Sequence, residues 1–221
     1  MLRQVHPVPV DVIMPTVAAV LESVESQPLV VKIPASVLTM NDDQFFHFCQ
    51  ANRELRIERT ADGDILILCP AGWMSGRRNA IITARLINWA ERDGTGVVVD
   101  SSTGFRLPNR ATRSPDAAWV LKSRLKRFSI AEQEKFLALC PDFVIELKSP
   151  TDRLADLKNK LEEYVANGAR LGWLLNPEAR QVLVYRPGRA VEVLDHAETV
   201  SADPELPGFV LDLKPIWDPE S

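Results

Sequence analysis

The segment that most restricts the fold is Phe143-Val144-Ile145-Glu146-Leu147-Lys148, a compact apolar run closed off by Pro141 on one side and Pro150 on the other. A run this short, between such punctuation, reads as a buried strand. Side chains on a strand alternate across the sheet, so Glu146 and Lys148 share a face with Val144. A carboxylate and an ammonium on one face of an apolar strand lose hydration unless they are paired, bound to metal or at a wet edge. Two readings follow: an ion pair between Glu146 and Lys148 at the sheet end, or a chemical site. The acid-x-Lys pattern alone does not decide, because Asp156-Leu157-Lys158 and Asp212-Leu213-Lys214 repeat it. The first of these lies on a helical stripe, where residues i and i+2 diverge.

Around that strand the hydrophobic period alternates. Leu55 to Thr60 and Ile65 to Leu68 flank Ala61-Asp62-Gly63-Asp64, a hairpin signal. Ser75 is expected to cap a helix to Asp93, with Ile82, Leu86, Trp89 and Ala90 at helical spacing and Gly94 as its stop. Strands are expected at Val97 to Val99, around Phe105 and at Ala117 to Leu121. Ser129 and Glu132 form a capping box for a helix to Leu139. Thr151 or Asp152 opens another, whose stripe of Leu154, Leu157, Leu161, Tyr164 and Val165 stops at Gly168. Strands at Leu171 to Leu175 and Val182 to Tyr185 follow. This order describes an α/β domain with one central mixed sheet flanked by helices. Residues 1–53 read as an appendage, with short helices at Pro15 to Glu25 and Asp42 to Asn52 around a strand-like Leu29 to Ile33; residues 54–221 read as the main domain.

Composition bounds the setting. With 221 residues, 46% hydrophobic and 25% charged, the chain has apolar content for a full core. Cys49, Cys69 and Cys140 are far apart and form no CxxC pair, which points to a reducing, cytoplasmic compartment. No stretch reaches the roughly 18 apolar residues of a spanning helix, and the N-terminus lacks signal-peptide grammar, so no membrane partner is expected. The net charge of -4 hides an asymmetry. Arg106, Arg110, Arg113, Lys122, Arg124, Lys126 and Arg127 surround Asp116, whereas acids dominate from Ala190 onward. The basic run is either a solvated face or a surface for salt-sensitive phosphate contacts.

Arg113-Ser114-Pro115-Asp116 opens the strand Ala117 to Leu121. An acid there either caps a turn or points into one cleft with Glu146. Two acids held close on neighbouring strands repel each other, and a divalent cation is the usual remedy; their hard oxygens suit Mg²⁺ or Mn²⁺. His6, His47 and His196 are scattered and form no metal pattern. Lys160 borders the apolar stripe of its helix, where it either snorkels to water or reaches toward Glu146.

Taken in order, Arg113-Ser114-Pro115-Asp116, Pro141 to Pro150 with Glu146 and Lys148, then Lys160, Tyr164, Gly168, Trp173 and the Asn176-Pro177 turn resemble the Uma-two family of the PD-(D/E)XK nuclease superfamily. The resemblance runs from Leu55 to Pro187. It implies a restriction-endonuclease-like core, with a four-stranded mixed sheet flanked by helices, and a metal-dependent phosphodiesterase. Carried over by position, Asp116 and Glu146 ligate Mg²⁺ or Mn²⁺, joined by the Leu147 carbonyl. Lys148 orients the attacking water and stabilises charge on the phosphate, with Lys160 assisting. Glu58, ahead of the Asp62-Gly63 turn, looks like the family's early acid and completes the metal shell. Asn79 departs from the pattern, because many members carry histidine there, and it is assigned no role. The implied activity is endonucleolytic hydrolysis of nucleic acid, DNA before RNA, with no organic cofactor and with a homodimer favoured if both strands are cut. The alternative is a catalytically silent member that binds nucleic acid or a protein partner. A sugar hydrolase is disfavoured, since the same-face neighbour of Glu146 is a lysine and not a second acid.

Overall fold

The computed structural model describes residues 31–218. The helix expected at Pro15 to Glu25 and the first two residues of the expected strand lie outside them. β1 (Val31–Ile33) leads to α1 (Asp42–Ala51), which Asn41 and Gln44 start with a complete capping box. β2 (Arg56–Arg59) and β3 (Ile65–Leu68) form the expected antiparallel hairpin, with Gly63 of its turn at φ 90°. α2 (Trp73–Asp93) ends at Gly94, whose φ of 73° is the left-handed stop. Its cap is Gly72 and not Ser75: extended backbone at Gly72 starts the helix at Trp73, and Ser75 is buried inside the first turn.

β4 (Gly96–Asp100), β5 (Phe105–Arg106), β6 (Thr112–Arg113), β7 (Ala117–Leu121) and one-turn α3 (Lys122–Leu125) come next. α4 (Ile130–Gln133) keeps the Ser129–Glu132 box but ends after one turn, well short of Leu139. The reason is tertiary. The Leu137 carbonyl accepts the Arg106 N–H at 2.9 Å, and Phe136 packs on Phe45 and Phe46, so the stretch leaves the helix to join β5 and α1. β8 (Phe143–Leu147) is followed by α5 (Leu154–Ala166), which begins after Arg153 with no side-chain cap. Neither Thr151 nor Asp152, the two residues expected to open it, caps it, and Asp152 accepts the Ser149 N–H instead. β9 (Leu171–Asn176), β10 (Gln181–Tyr185), β11 (Glu192–Asp195), β12 (Thr199–Ser201), β13 (Val210–Asp212) and one-turn α6 (Lys214–Trp217) complete the described chain.

The main sheet has six strands, in the order β11-β10-β9-β8-β7-β4, where the resemblance implied four. Every pair in it is antiparallel except β8 with β9, which α5 connects as a crossover. A second sheet, β1-β3-β2-β6-β5, carries the hairpin. β1 and α1, from the stretch read as an appendage, both pack on it: β1 pairs with β3, and Phe45 joins Ile57 and Ile65 in a small core.

Alternation along β8 sorts the two faces of the main sheet. Phe143, Ile145 and Leu147 enter a core with Trp119 and Trp173, covered by Ile82, Leu86 and Trp89 of α2 and by Phe209 and Trp217. Val144 enters the opposite core with Ala118, Val120 and Leu174, covered by Leu161 and Tyr164 of α5. Each large side chain fully buried this way stabilises the fold by roughly 1.5–3 kcal/mol. Gly172 on β9 sets how closely α5 can lie: a β-carbon there would come within 2.6 Å of Leu161 Cδ1. That close approach brings the α5 side chains within reach of Glu146. No helix of the described residues is long and apolar enough to cross a membrane.

Candidate active site

β8 and β7 place two acids side by side. Ala117 pairs with Ile145, so one step further along this antiparallel register Asp116 faces Glu146. Asp116 Oδ2 accepts the Leu147 N–H at 2.8 Å, which ties the acid to the edge of β8. Glu146 is 2% exposed, and both its bonds fall on Oε1: Lys160 Nζ donates at 2.9 Å and the Tyr164 hydroxyl at 3.2 Å. Lys160 and Tyr164 sit one turn apart on α5, the spacing that puts both on one helix face.

The second sheet supplies the rest. Glu58 of β2 is also 2% exposed. Its Oε1 accepts from Lys160 Nζ at 2.9 Å and from the Ser114 N–H at 3.1 Å, and its Oε2 accepts from Arg113 at 3.2 Å. Arg113 also donates to Glu163 at 2.6 Å. Arg56, two residues before Glu58 and on the same strand face, donates to Asp116 Oδ1 at 3.2 Å and to the Ser114 carbonyl at 2.6 Å. Asn79 of α2 donates to the same Oδ1 at 3.2 Å. Four carboxylates (Glu58, Asp116, Glu146, Glu163) thus meet three cations (Arg56, Arg113, Lys160).

Two of these acids share Lys160 and are driven in opposite directions. Burial works to raise Glu58, but Lys160, Arg113 and Arg56 outweigh it and hold the carboxyl down at about 2. Burial also acts on Glu146, where Lys160 cannot outweigh it and the negative charges of Asp116 and Glu58 add to it, so this carboxyl is pushed up to about 7. For Lys160, burial is outweighed by Glu146 and Glu58, which hold the ammonium above its ordinary range. Tyr164 is raised well above its own by burial and then by Glu146, and so remains a hydroxyl donor. Glu58 is a fixed anion, while Glu146 is short of positive charge.

The donor chemistry suits a small divalent cation. Among the described residues no three His, Cys, Asp or Glu side chains are grouped to hold a metal. An ion here would rest on the hard oxygens of Asp116 and Glu146 and complete its shell with carbonyl and water, the habit of Mg²⁺. The oxygens of Glu58 are already engaged by Lys160, Arg113 and Ser114.

Asp116, Glu146, Lys160 and Glu58, read as candidates from the sequence, therefore converge, and Leu147 joins them through its N–H. Lys148 stands apart from Glu146: its ammonium donates to the Ser149 carbonyl and to Glu178, each at 3.1 Å. The anticipated Glu146–Lys148 pair is replaced by Glu146–Lys160. Much of the basic run is also engaged internally: Arg106 with Asp42, Arg113 with Glu58 and Glu163, Arg124 with Asp142, and Lys122 with the Gly94 carbonyl. Sequence reasoning passed over Arg56 and set Asn79 aside. The i, i+2 spacing of Arg56 and Glu58 on one strand was the available signal for the first.

A family model, Uma2, described as "Putative restriction endonuclease", matches residues 42–214. No curated protein sequence matches the chain. Among solved structures, the chain is similar to "a putative nuclease belonging to DUF820 from Anabaena variabilis ATCC 29413", with a TM-score of 0.62 and 19% identity over 73% of this chain and 89% of that one. At that identity the likeness establishes the fold.

Proposed function

Because the chain belongs to the Uma2 family of restriction-endonuclease-like proteins, we propose that it is a divalent-metal-dependent endonuclease that hydrolyses phosphodiester bonds of nucleic acid, DNA before RNA. The observation that carries this reading is the meeting of Asp116 and Glu146 across adjacent strands, with Glu146 pushed up to about 7 even though Lys160 lies 2.9 Å away. Such a site attracts a further cation.

Asp116 and Glu146, with the Leu147 carbonyl, would hold Mg²⁺ or Mn²⁺, which when bound supplies Lewis-acid charge and lowers the pKa of a coordinated water. The chain's own groups do the rest. Glu58 anchors Lys160 and Arg113, and Lys160 with Tyr164 fixes the orientation of Glu146. Lys148 offers positive charge to the phosphate. Its side chain is 9% exposed and that of its partner Glu178 79%, so Glu178 is the member of the pair that can swing out into water and leave the Lys148 ammonium to a phosphate oxygen.

The second reading, a catalytically silent binding protein, is favoured by one observation: both oxygens of Asp116 are already hydrogen-bonded. Thermal melting with Mn²⁺ separates the two. At about 100 times its Kd the ion should raise Tm by about 5–10 °C, and Asp116→Ala should abolish the rise. Supercoiled plasmid should be cut by the wild type with Mg²⁺ and left intact by Glu146→Ala. Cutting that survives Glu146→Ala would overturn the proposal, and an absence of both metal response and cutting would favour the silent reading.

A further inference from the structure

We infer that Arg56 is a displaceable counter-ion of Asp116: its guanidinium and a divalent cation compete for the same carboxylate oxygen, and once displaced the guanidinium serves as a phosphate-binding group at the mouth of the site. The inference rests on the reading of Asp116 as a metal ligand and goes beyond it, because it assigns a role to a residue outside the proposed ligand set.

The two oxygens of Asp116 are held differently. Oδ2 takes the Leu147 backbone N–H at 2.8 Å, a bond fixed by the pairing of β7 and β8. Oδ1 takes only side chains, Arg56 and Asn79, each at 3.2 Å. A relaxed bond between guanidinium and carboxylate is shorter, about 2.7–2.9 Å, so the charged bond on Oδ1 is the one that yields most easily. Arg56 has a pivot on which to yield: its other terminal nitrogen is anchored to the Ser114 carbonyl at 2.6 Å. Releasing Oδ1 therefore turns the fork without letting it go.

Of the three cations in the cluster, Arg56 alone faces water appreciably. Its side chain is 31% exposed, against 13% for Arg113 and 12% for Lys160. The latter two each bridge two carboxylates and have nowhere to go. Arg56 also has donor capacity to spare, since its Nε is buried with no hydrogen-bond partner. A planar fork with unused donors, beside carboxylates that repel an anion until a cation arrives, matches a phosphate whose binding follows the metal. The two charges also cannot share Oδ1, because a divalent ion there repels the guanidinium that it displaces.

Full-length Arg56→Gln and Arg56→Lys, compared with the wild type by calorimetry, test this. Mn²⁺ alone should bind Arg56→Gln about five- to tenfold more tightly than the wild type. A short oligodeoxynucleotide in the presence of Ca²⁺ should bind the same variant about five- to tenfold more weakly. A purely structural arginine would not move the two affinities in opposite directions. Arg56→Lys keeps the charge and loses the fork, so it should bind Mn²⁺ nearly as the wild type does and still lose oligonucleotide affinity. Unchanged or weaker Mn²⁺ binding by Arg56→Gln, with Mn²⁺ binding by the wild type intact, overturns the inference and leaves the metal reading standing. Equal Mn²⁺ binding by the wild type and Asp116→Ala overturns both.

Discussion

Two carboxylates lie buried at opposite ends of β8, Asp142 just before its first residue at 3% exposure and Glu146 near its last at 2%. Asp142 is balanced locally. Arg124 meets one of its oxygens at 3.0 Å and the Leu121 N–H meets the other at 3.0 Å, while its own carbonyl accepts from Arg170 and Leu171. One anion has one cation, and the group knits β7, α3 and the start of β9 together. Glu146 has a single cation that it shares with Glu58, and Asp116 stands next to it. Similar burial at the two ends of β8 therefore has two outcomes: a closed pair that holds the fold, and a cluster with more carboxylates than cations, in which Glu146 is pushed toward its protonated form. A buried acid marks a site when its surroundings leave it unbalanced.

The sharpest way to break this comparison is Glu146→Gln. Cleavage should fall about 10³-fold, yet the protein should melt no lower than the wild type at pH 8. The folded protein raises this carboxyl from about 4.5 to about 7, so the fold disfavours its ionised form. That penalty is complete above pH 7 and absent below pH 4.5. Any stability gained by Glu146→Gln should therefore be seen at pH 8 and vanish at pH 4 in thermal melts across that range. A clear loss of stability at pH 8 would mean that Glu146 is a structural acid like Asp142.

Glu58→Gln tests the fixed anion of the same cluster. Its carboxyl is lowered from 4.5 to about 2, so its stabilisation is present in full above pH 4.5 and is lost as pH falls from there toward 2. Urea melts should show the variant less stable at pH 7 by on the order of 3 kcal/mol, with the gap closing by about pH 2. A pH-independent gap would show that packing, and not charge, is what Glu58 contributes.

The smallest effect belongs to the closed pair. Asp142→Asn leaves Arg124 without its carboxylate, and because the Arg124 side chain is 29% exposed the loss should be about 2 kcal/mol, below the ~3–5 kcal/mol of a fully buried pair. Scanning calorimetry should record a fall in Tm of about 5 °C. The rise in Tm with Mn²⁺ should be the same as in the wild type, and a changed metal response would join the two ends of β8 into one system.

Much of this was legible one residue at a time. A short apolar run between prolines gave β8 and period 3.6 gave α5, because each pattern is carried by residues within a few positions of one another. Glu146 stood out as a charge on an apolar strand, and Lys160 as a charge beside an apolar stripe. The identity of the lysine that meets Glu146 was not legible: Lys148 is nearer in sequence, yet it turns to Glu178 at the strand end. Helix α4 was overdrawn for a related reason, since its capping box is local but the pull of β5 and α1 on Leu137 and Phe136 is not.

The sequence by itself determined most of the longer elements, their order, and the fact that Asp116 and Glu146 had to be explained. Only the tertiary structure decided which charges share a cluster: Arg56 with Asp116 across 60 residues, Lys160 with Glu58 across 102, and Arg113 with Glu163 across 50. The physical reason is range. The pattern that marks a strand or helix is written in side chains a few positions apart, whereas the energy of a buried charge depends on every group that burial brings within a few ångströms, whatever the distance along the chain.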